Sequence, residues 1–299
     1  MIKKRYAFTM LELIFVIVVM GILGKYGVEL LARAYDNFIM TKVNDDLQSR
    51  SGAAVEFISK RLEHRLKKSS RGINTGVGAW DYVHGGTSDD SADVLEWIAV
   101  DDDSYRGSTT PLWSGVLDLN SSTGTSLVSP GSNFGSVNTN IQVLSNGGSD
   151  MNDSAIFFVD SQFSYTNPWG YNGAIANHSE TMHRVQVTTN DTLAPLAGTG
   201  DLSGVEASEY YKLSWTANAV AMENQHGDNN ELYDLYFYYD YQPWRGETYI
   251  PNGKRVLLAQ DISAFRFRSA GSLIKIQVCA KSDLIANEEY ALCKEKTVF

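Results

Sequence analysis

The sequence predicts an α+β protein: a long N-terminal helix packed on an antiparallel β-sheet, with a loop-rich region inserted between the two. Three observations predict it. An apolar run from Phe8 to Leu23 leads, without a proline, into a segment over 25–68 whose apolar residues recur at helical spacing. From Tyr210 onward, alternating or apolar runs are separated by turn sequences, the pattern of an antiparallel sheet. Between them, residues 69–204 hold 17 of the 25 glycines and many Ser, Thr, Asn and Asp, the composition of long connections. With 299 residues, 20% charged and 11% aromatic, the chain can build a sizeable core and is not a disordered polymer.

The N-terminal stretch divides at three places. Residues 1–7 form a short basic leader, with Lys3, Lys4 and Arg5. Residues 8–24 are 17 almost wholly apolar positions, the short end of what spans a bilayer, and Lys25 and Tyr26 can snorkel to the far interface. The leader charges keep the N-terminus cytoplasmic, so residues 69–299 face outward as a β-rich globular part. Within the apolar run stands one carboxylate, Glu12, which costs several kcal/mol in hydrocarbon and therefore calls for a use. Gly21 and Gly24 weaken the helix locally. A conventional signal peptide would also have a basic start, an apolar core and an A-x-A site, here Ala32-Arg33-Ala34. Against it, Glu12 interrupts the core, and Lys25, Glu29 and Arg33 crowd the approach to the cut.

The second helical segment, 25–68, places Val28, Leu31, Tyr35, Phe38, Leu47, Ala54, Ile58, Leu62 and Leu66 near one face. Lys60, Arg61, Arg65, Lys67 and Lys68 crowd its end, where cations complement the helix dipole. The two segments together make one helix of about 90 Å. Candidate strands in the middle region are 94–100, 112–119, 140–144, 155–159 and 183–188, and in the last third 210–222, 232–241, 256–260, 264–268 and 273–279.

Phe8-Thr9-Met10-Leu11-Glu12, behind a basic leader ending in Ala7 and ahead of an uninterrupted apolar run, resembles the N-terminus of type IV pilins and type II secretion pseudopilins. The segment VLLAQDISAFRFR, followed by a short turn and LIKIQV, resembles the C-terminal sheet of their minor members. The resemblance implies that a prepilin peptidase cuts after Ala7, that the new amine of Phe8 is methylated, and that Glu12 pairs with the amine of a neighbouring subunit during assembly. The family usually has glycine where this chain has Ala7, a residue small enough for the same pocket. The partners implied are other pilin or pseudopilin subunits, the peptidase, the inner-membrane assembly platform and inner-membrane lipid. The implied location is the inner membrane, single-pass, with a periplasmic domain, and then a pilus or pseudopilus. A trimmed chain of roughly 292 residues is large for a densely packed major subunit, which points to a minor, structural and non-enzymatic one. The alternative is an adhesive or cargo-binding module carried on a pilin-like stalk.

The charge is uneven. Residues 1–71 carry +6, residues 72–183 carry −12 with Arg106 as their one cation, and residues 184–299 carry −4. An acidic middle repels phosphate backbones, so nucleic acid is not an expected partner. Cys279 and Cys293, the two cysteines, suggest a disulfide in an oxidising outer compartment, as in many pilins, with two buried thiols as the alternative. The acidic groups Asp89, Asp90 and Asp93, then Asp101, Asp102 and Asp103, then Asp228 to Glu231, offer oxygen ligands, and some pseudopilins hold calcium. Asp101–Asp103 is the candidate metal position, although none of the three groups matches a defined calcium loop. No other cofactor is expected. His178 and His183 are five apart in a loop-to-strand region, which does not put them on one helical face for zinc. Asn120, Asn152, Asn177 and Asn190 sit in N-x-S/T sequons; Asn120 and Asn152 also have an aspartate two residues before, which some bacterial glycosylation systems require. The tryptophans and tyrosines could line a sugar-binding surface or fill core and cross-strand positions. No nucleophile elbow, phosphate loop or metalloprotease helix is present.

Overall fold

The computed structural model describes residues 9–83, 92–107, 109–161, 168–227, 231–282 and 290–299. Helix α1 is a single element, Met10–Glu63. Thr9 caps it: the Glu12 amide donates to Thr9 Oγ1 at 3.3 Å and the Thr9 amide donates to Glu12 Oε2 at 3.0 Å, a reciprocal capping box. With no proline to interrupt it, its 54 residues extend about 81 Å. It stops at Glu63, five residues short of the expected end at 68. There the backbone finds other partners. The Leu66 amide donates to Ile98 O and the Val100 amide to His64 O, each at 2.8 Å, and Lys68 takes a left-handed φ of 72°.

The remaining elements are strands β1 (Arg71–Asn74), β2 (Ala79–Tyr82) and β3 (Val94–Ala99), a short helix α2 (Asp102–Arg106), β4 (Leu127–Val128), helix α3 (Phe134–Leu144), then β5 (Ala155–Phe158), β6 (His183–Thr189), β7 (Thr192–Pro195), β8 (Tyr211–Ser214), β9 (Thr216–His226), β10 (Leu232–Tyr239), β11 (Lys254–Ala270), β12 (Leu273–Ser282) and β13 (Tyr290–Val298). They form two antiparallel sheets. The larger has the order β13-β12-β11-β10-β9-β3-β1-β2, and the smaller the order β4-β7-β6-β5-β8. The α+β class read from the sequence is the observed one.

The outer half of α1 lies on the larger sheet, mainly against β12 and β13. Val43, Leu47, Ala54, Val55, Ile58 and Leu62 are buried there with Phe265, Ile276 and Val278. Ser51 and Ser59 are also fully buried, and each returns its hydroxyl to the helix's own carbonyls, Leu47 O at 2.7 Å and Glu56 O at 2.9 Å. Small residues with satisfied hydroxyls let helix and sheet approach closely without an unpaired polar group. Among the described residues the inner half packs on no other element. Val28, Leu31, Tyr35 and Phe38, expected on the packed face, are all exposed.

Several strand boundaries differ from expectation for local reasons. Residues 140–144 are the last turns of α3, not a strand: Phe134, Val137 and Ile141 are buried at helical spacing and Asn133 caps the start. Residues 112–119 are irregular, with a single bridge at Val116, because Gly115 at φ 73° turns the chain while Trp113 is buried. The run 210–222 breaks at Trp215 into β8 and β9, which belong to different sheets. The runs 256–260 and 264–268 are one long β11, kinked at Asp261, where φ is 57° and the register with β10 shifts. Strand β13 was not foreseen. It sets Cys293 directly opposite Cys279, and the two are joined in a disulfide.

The glycine-rich middle has its own core. Trp113, Leu117, Phe134, Val137, Ile141, Phe158, Val185 and Leu213 close around the smaller sheet. What the sequence presents as an inserted loop region is a second sheet with helices of its own.

Candidate functional site

Two features stand apart from ordinary packing. The first is the inner half of α1. An 18-residue window within it is long and apolar enough to cross a membrane, with a mean hydropathy of 2.0 and none of it buried in the protein. Leu13, Phe15, Ile17, Met20 and Leu23 stand between 57% and 68% exposed. Such a surface in water would be a severe liability for a monomer; it needs lipid or other helices around it. Glu12 lies at the head of this surface and its carboxylate also accepts from Thr9 Oγ1, at 3.1 Å. Ala7 and Phe8, the expected processing residues, lie outside the described residues. Ala32, Arg33 and Ala34 lie in mid-helix, where Arg33 pairs with Glu29 at 2.7 Å.

The second feature is a cleft of about 710 Å³ at the seam between the C-terminal end of α1, helix α2 and the smaller sheet. Local sequence shapes each wall. Asp101 caps α2 by accepting from the Ser104 amide at 3.2 Å, and Gly107 ends it at φ 59°, where a Cβ would meet Thr110 O. That short turn of helix holds Tyr105 at the mouth, 39% exposed, with its ring 4.8 Å from the buried Trp113. Phe157 and the buried Trp169, with ring centres 4.9 Å apart, also line the cleft. Lys67 and Lys68, just after α1, and Lys212 on β8 line the cleft, and the Lys212 ammonium lies 5.6 Å from the Tyr105 ring centre. Sequence reasoning missed this site, because its residues are drawn from six separate segments and no two carry a motif.

The aspartates proposed for calcium do not converge. Asp101 is buried as the α2 cap, and burial pushes its carboxyl up to about 6 against the opposing hydrogen bonds from Ser104. Asp102 pairs with Arg106 at 2.5 Å and faces His64 at 3.3 Å, and Asp103 faces Arg61 at 3.9 Å. Asp89, Asp90 and Asp228 to Asn230 lie outside the described residues. The loop before β6 does bring His178 and His183 together, with ring centres 5.3 Å apart. Among the described residues, however, no group of three or more His, Cys, Asp or Glu is arranged to hold a metal ion. Burial and the neighbouring His178 lower His183 to about 3, so it is neutral.

Asn120 and Asn152 are exposed. The aspartate before each is engaged locally. Asp118 accepts from the Asn120 amide at 3.0 Å and from Ser121, and Asp150 accepts from the Asn152 amide at 2.7 Å. These are turn- and cap-forming bonds, a structural reason for the D-x-N-x-S spacing that is independent of glycosylation. The chain matches no protein-family model, no curated protein and no solved structure.

Proposed function

We propose that the chain is a structural, non-enzymatic subunit of a pilus-like or secretion filament, of the minor pilin or pseudopilin kind. The observation that carries the reading is the division of α1: one unbroken helix whose outer half is buried on a sheet and whose inner half, headed by Thr9 and Glu12, is apolar and unpartnered. In this reading the inner half first sits in the inner membrane, with the basic leader on the cytoplasmic side and the two-sheet body in the periplasm. A peptidase removes residues 1–7, and the amine of Phe8 meets Glu12 of a neighbour inside an apolar helix bundle. Two charges taken out of water repay their desolvation only when they meet well, so the pair rejects misregistered subunits rather than adding much stability. The stretch from Lys25 to Lys42, about 27 Å of exposed helix, holds the body clear of the membrane and leaves room for neighbouring helices.

The test is intact and N-terminal mass spectrometry on the protein from its native membrane. The expected mature chain starts at a methylated Phe8. A chain starting at Tyr35 would mean conventional signal cleavage and would overturn the reading.

A further inference from the structure

We propose that the cleft between the end of α1, α2 and the smaller sheet binds an acidic sugar, a polyhydroxylated ring that carries a carboxylate. The cleft belongs wholly to the packed body, so the proposal does not rest on what the inner half of α1 does.

Its volume of about 710 Å³ suits a ligand of one to three sugar rings. Tyr105, 39% exposed at the mouth, has Trp113 at 4.8 Å and the Lys212 ammonium over its ring at 5.6 Å, so it presents an apolar ring edge with a cation beside it, and the C–H groups of a sugar can cover that edge. Two cations then call for an anion. Lys67 and Lys212 have no carboxylate partner among the described residues; Lys67 is exposed, and Lys212 rests against Tyr105. The cleft is lined by four cations, Arg65, Lys67, Lys68 and Lys212, and three acids, Glu63, Asp102 and Asp160, a small positive excess in a protein whose residues 72–183 are strongly acidic.

The acids in the same cleft narrow the class. Asp102 is already held by Arg106 and His64, and Asp160 accepts from Ser208 Oγ at 2.9 Å. Both carboxylates keep acceptor capacity that hydroxyl groups can use. A peptide with several carboxylates would be repelled by them, and a neutral apolar ligand would leave both lysines without an anion. A ring with many hydroxyls and one carboxylate satisfies the lysines, the acids and the apolar edge of Tyr105 together.

The experiment is isothermal titration of the full-length chain in detergent micelles with three probes: a uronic-acid trisaccharide, its neutral hexose counterpart, and a glutamate-rich hexapeptide. The expected result is binding of the uronate at least tenfold tighter than of the neutral sugar, weakened by salt. Lys67→Ala and Lys212→Ala should each weaken it severalfold, and Tyr105→Ala at least tenfold. Lys67 is exposed and packs no core, so its variant remains a fair test if Tyr105→Ala unfolds, as thermal melting would reveal. Equal affinity for acidic and neutral sugars, no uronate binding at millimolar concentration, tighter binding of the peptide, or uronate affinity unchanged by the lysine variants would each overturn the proposal.

Discussion

Arg71 on β1 and Glu96 on β3 are cross-strand partners, and their side chains form an ion pair that is 6% and 0% exposed. The guanidinium lies 4.0 Å from the ring centre of Tyr171 and 4.7 Å from that of Trp80, and Tyr241 donates its hydroxyl to the other Glu96 oxygen at 2.9 Å. The pair thus gathers three strands of the larger sheet, β1, β2 and β3, with Tyr171 and Tyr241 from two separate loops. Taking charges this far from water is costly, and the cost is tolerated because both are hydrogen-bonded. Arg71→Met would leave Glu96 as a buried, uncompensated carboxylate and should lower the unfolding free energy by roughly 3–5 kcal/mol. The double variant Arg71→Met/Glu96→Gln keeps an acceptor for Tyr241 and should recover most of that loss. Urea unfolding followed by tryptophan fluorescence measures both.

Asp101 is destabilised in the opposite way, by burial without a full set of partners. Its Oδ1 receives the Ser104 amide, and its Oδ2 is buried with no partner among the described residues. Its carboxyl is raised from 3.8 to about 6, with burial as the main cause. The unfolded chain therefore releases the proton first, and stability falls as pH rises from 3.8 through about 6. Asp101→Asn keeps the cap and removes the charge. It should stabilise the protein at pH 7 by about 2–3 kcal/mol and by much less near pH 4, as thermal melts at the two pH values would register.

These two sites mark where sequence reading stops. Helix α1 was legible because its signals are local: an apolar run, no proline, and a 3.6-residue period. Where β9 to β12 lie was legible by alternation, although their breaks and ends were not. Helix α3 was not, because a short window over 140–144 reads as apolar in either period, and its earlier turn, Phe134 to Val137, sits among glycines and asparagines. The division into two sheets was hidden too, since β8 and β9 are separated only by Trp215 and differ in partner, not in pattern. Cys279 and Cys293 were read as a pair from their number and compartment, but their cross-strand register needed β13, whose Lys294, Glu295 and Lys296 mask a strand. Arg71, Glu96 and the aromatic cleft depend on contacts between segments tens of residues apart. No spacing along the chain encodes them.

His183 gives the protein a second acid-sensitive point, of opposite sign to Asp101. It is buried and held at about 3, from an ordinary 6.5, by burial first and by His178 second. As pH falls below 6.5 the unfolded chain takes up a proton that the folded one refuses, so stability drops by about 1.4 kcal/mol per pH unit until about pH 3. Between pH 4 and 6 this loss and the Asp101 gain partly cancel in the native chain. His183→Gln removes one side of the balance. Its stability should rise on acidification across that window, where the native chain stays flat or falls, and denaturation midpoints at half-unit pH steps would separate the two.

Glu12 has two roles that one substitution can separate. Its carboxylate closes the capping box with Thr9, a local role open to any residue that can accept there, and the proposed assembly role needs its negative charge. Gln serves the N3 position of a capping box as well as Glu does, so Glu12→Gln keeps the helix start and loses only the charge. Glu12→Ala loses both the charge and the side-chain acceptor for the Thr9 amide. If the charge recruits a neighbour's amine, both variants should be trimmed and membrane-bound yet absent from sheared filaments, detected by immunoblot of membrane and filament fractions. If capping is the whole role, Glu12→Gln should assemble like the native chain and only Glu12→Ala should fail. The carboxylate sits at the head of some 30 exposed, mostly apolar residues, where capping could be supplied by Ser, Asp or Asn without a second residue. A charge retained there points to a partner that carries the opposite one, and filament loss in Glu12→Gln is the expected outcome.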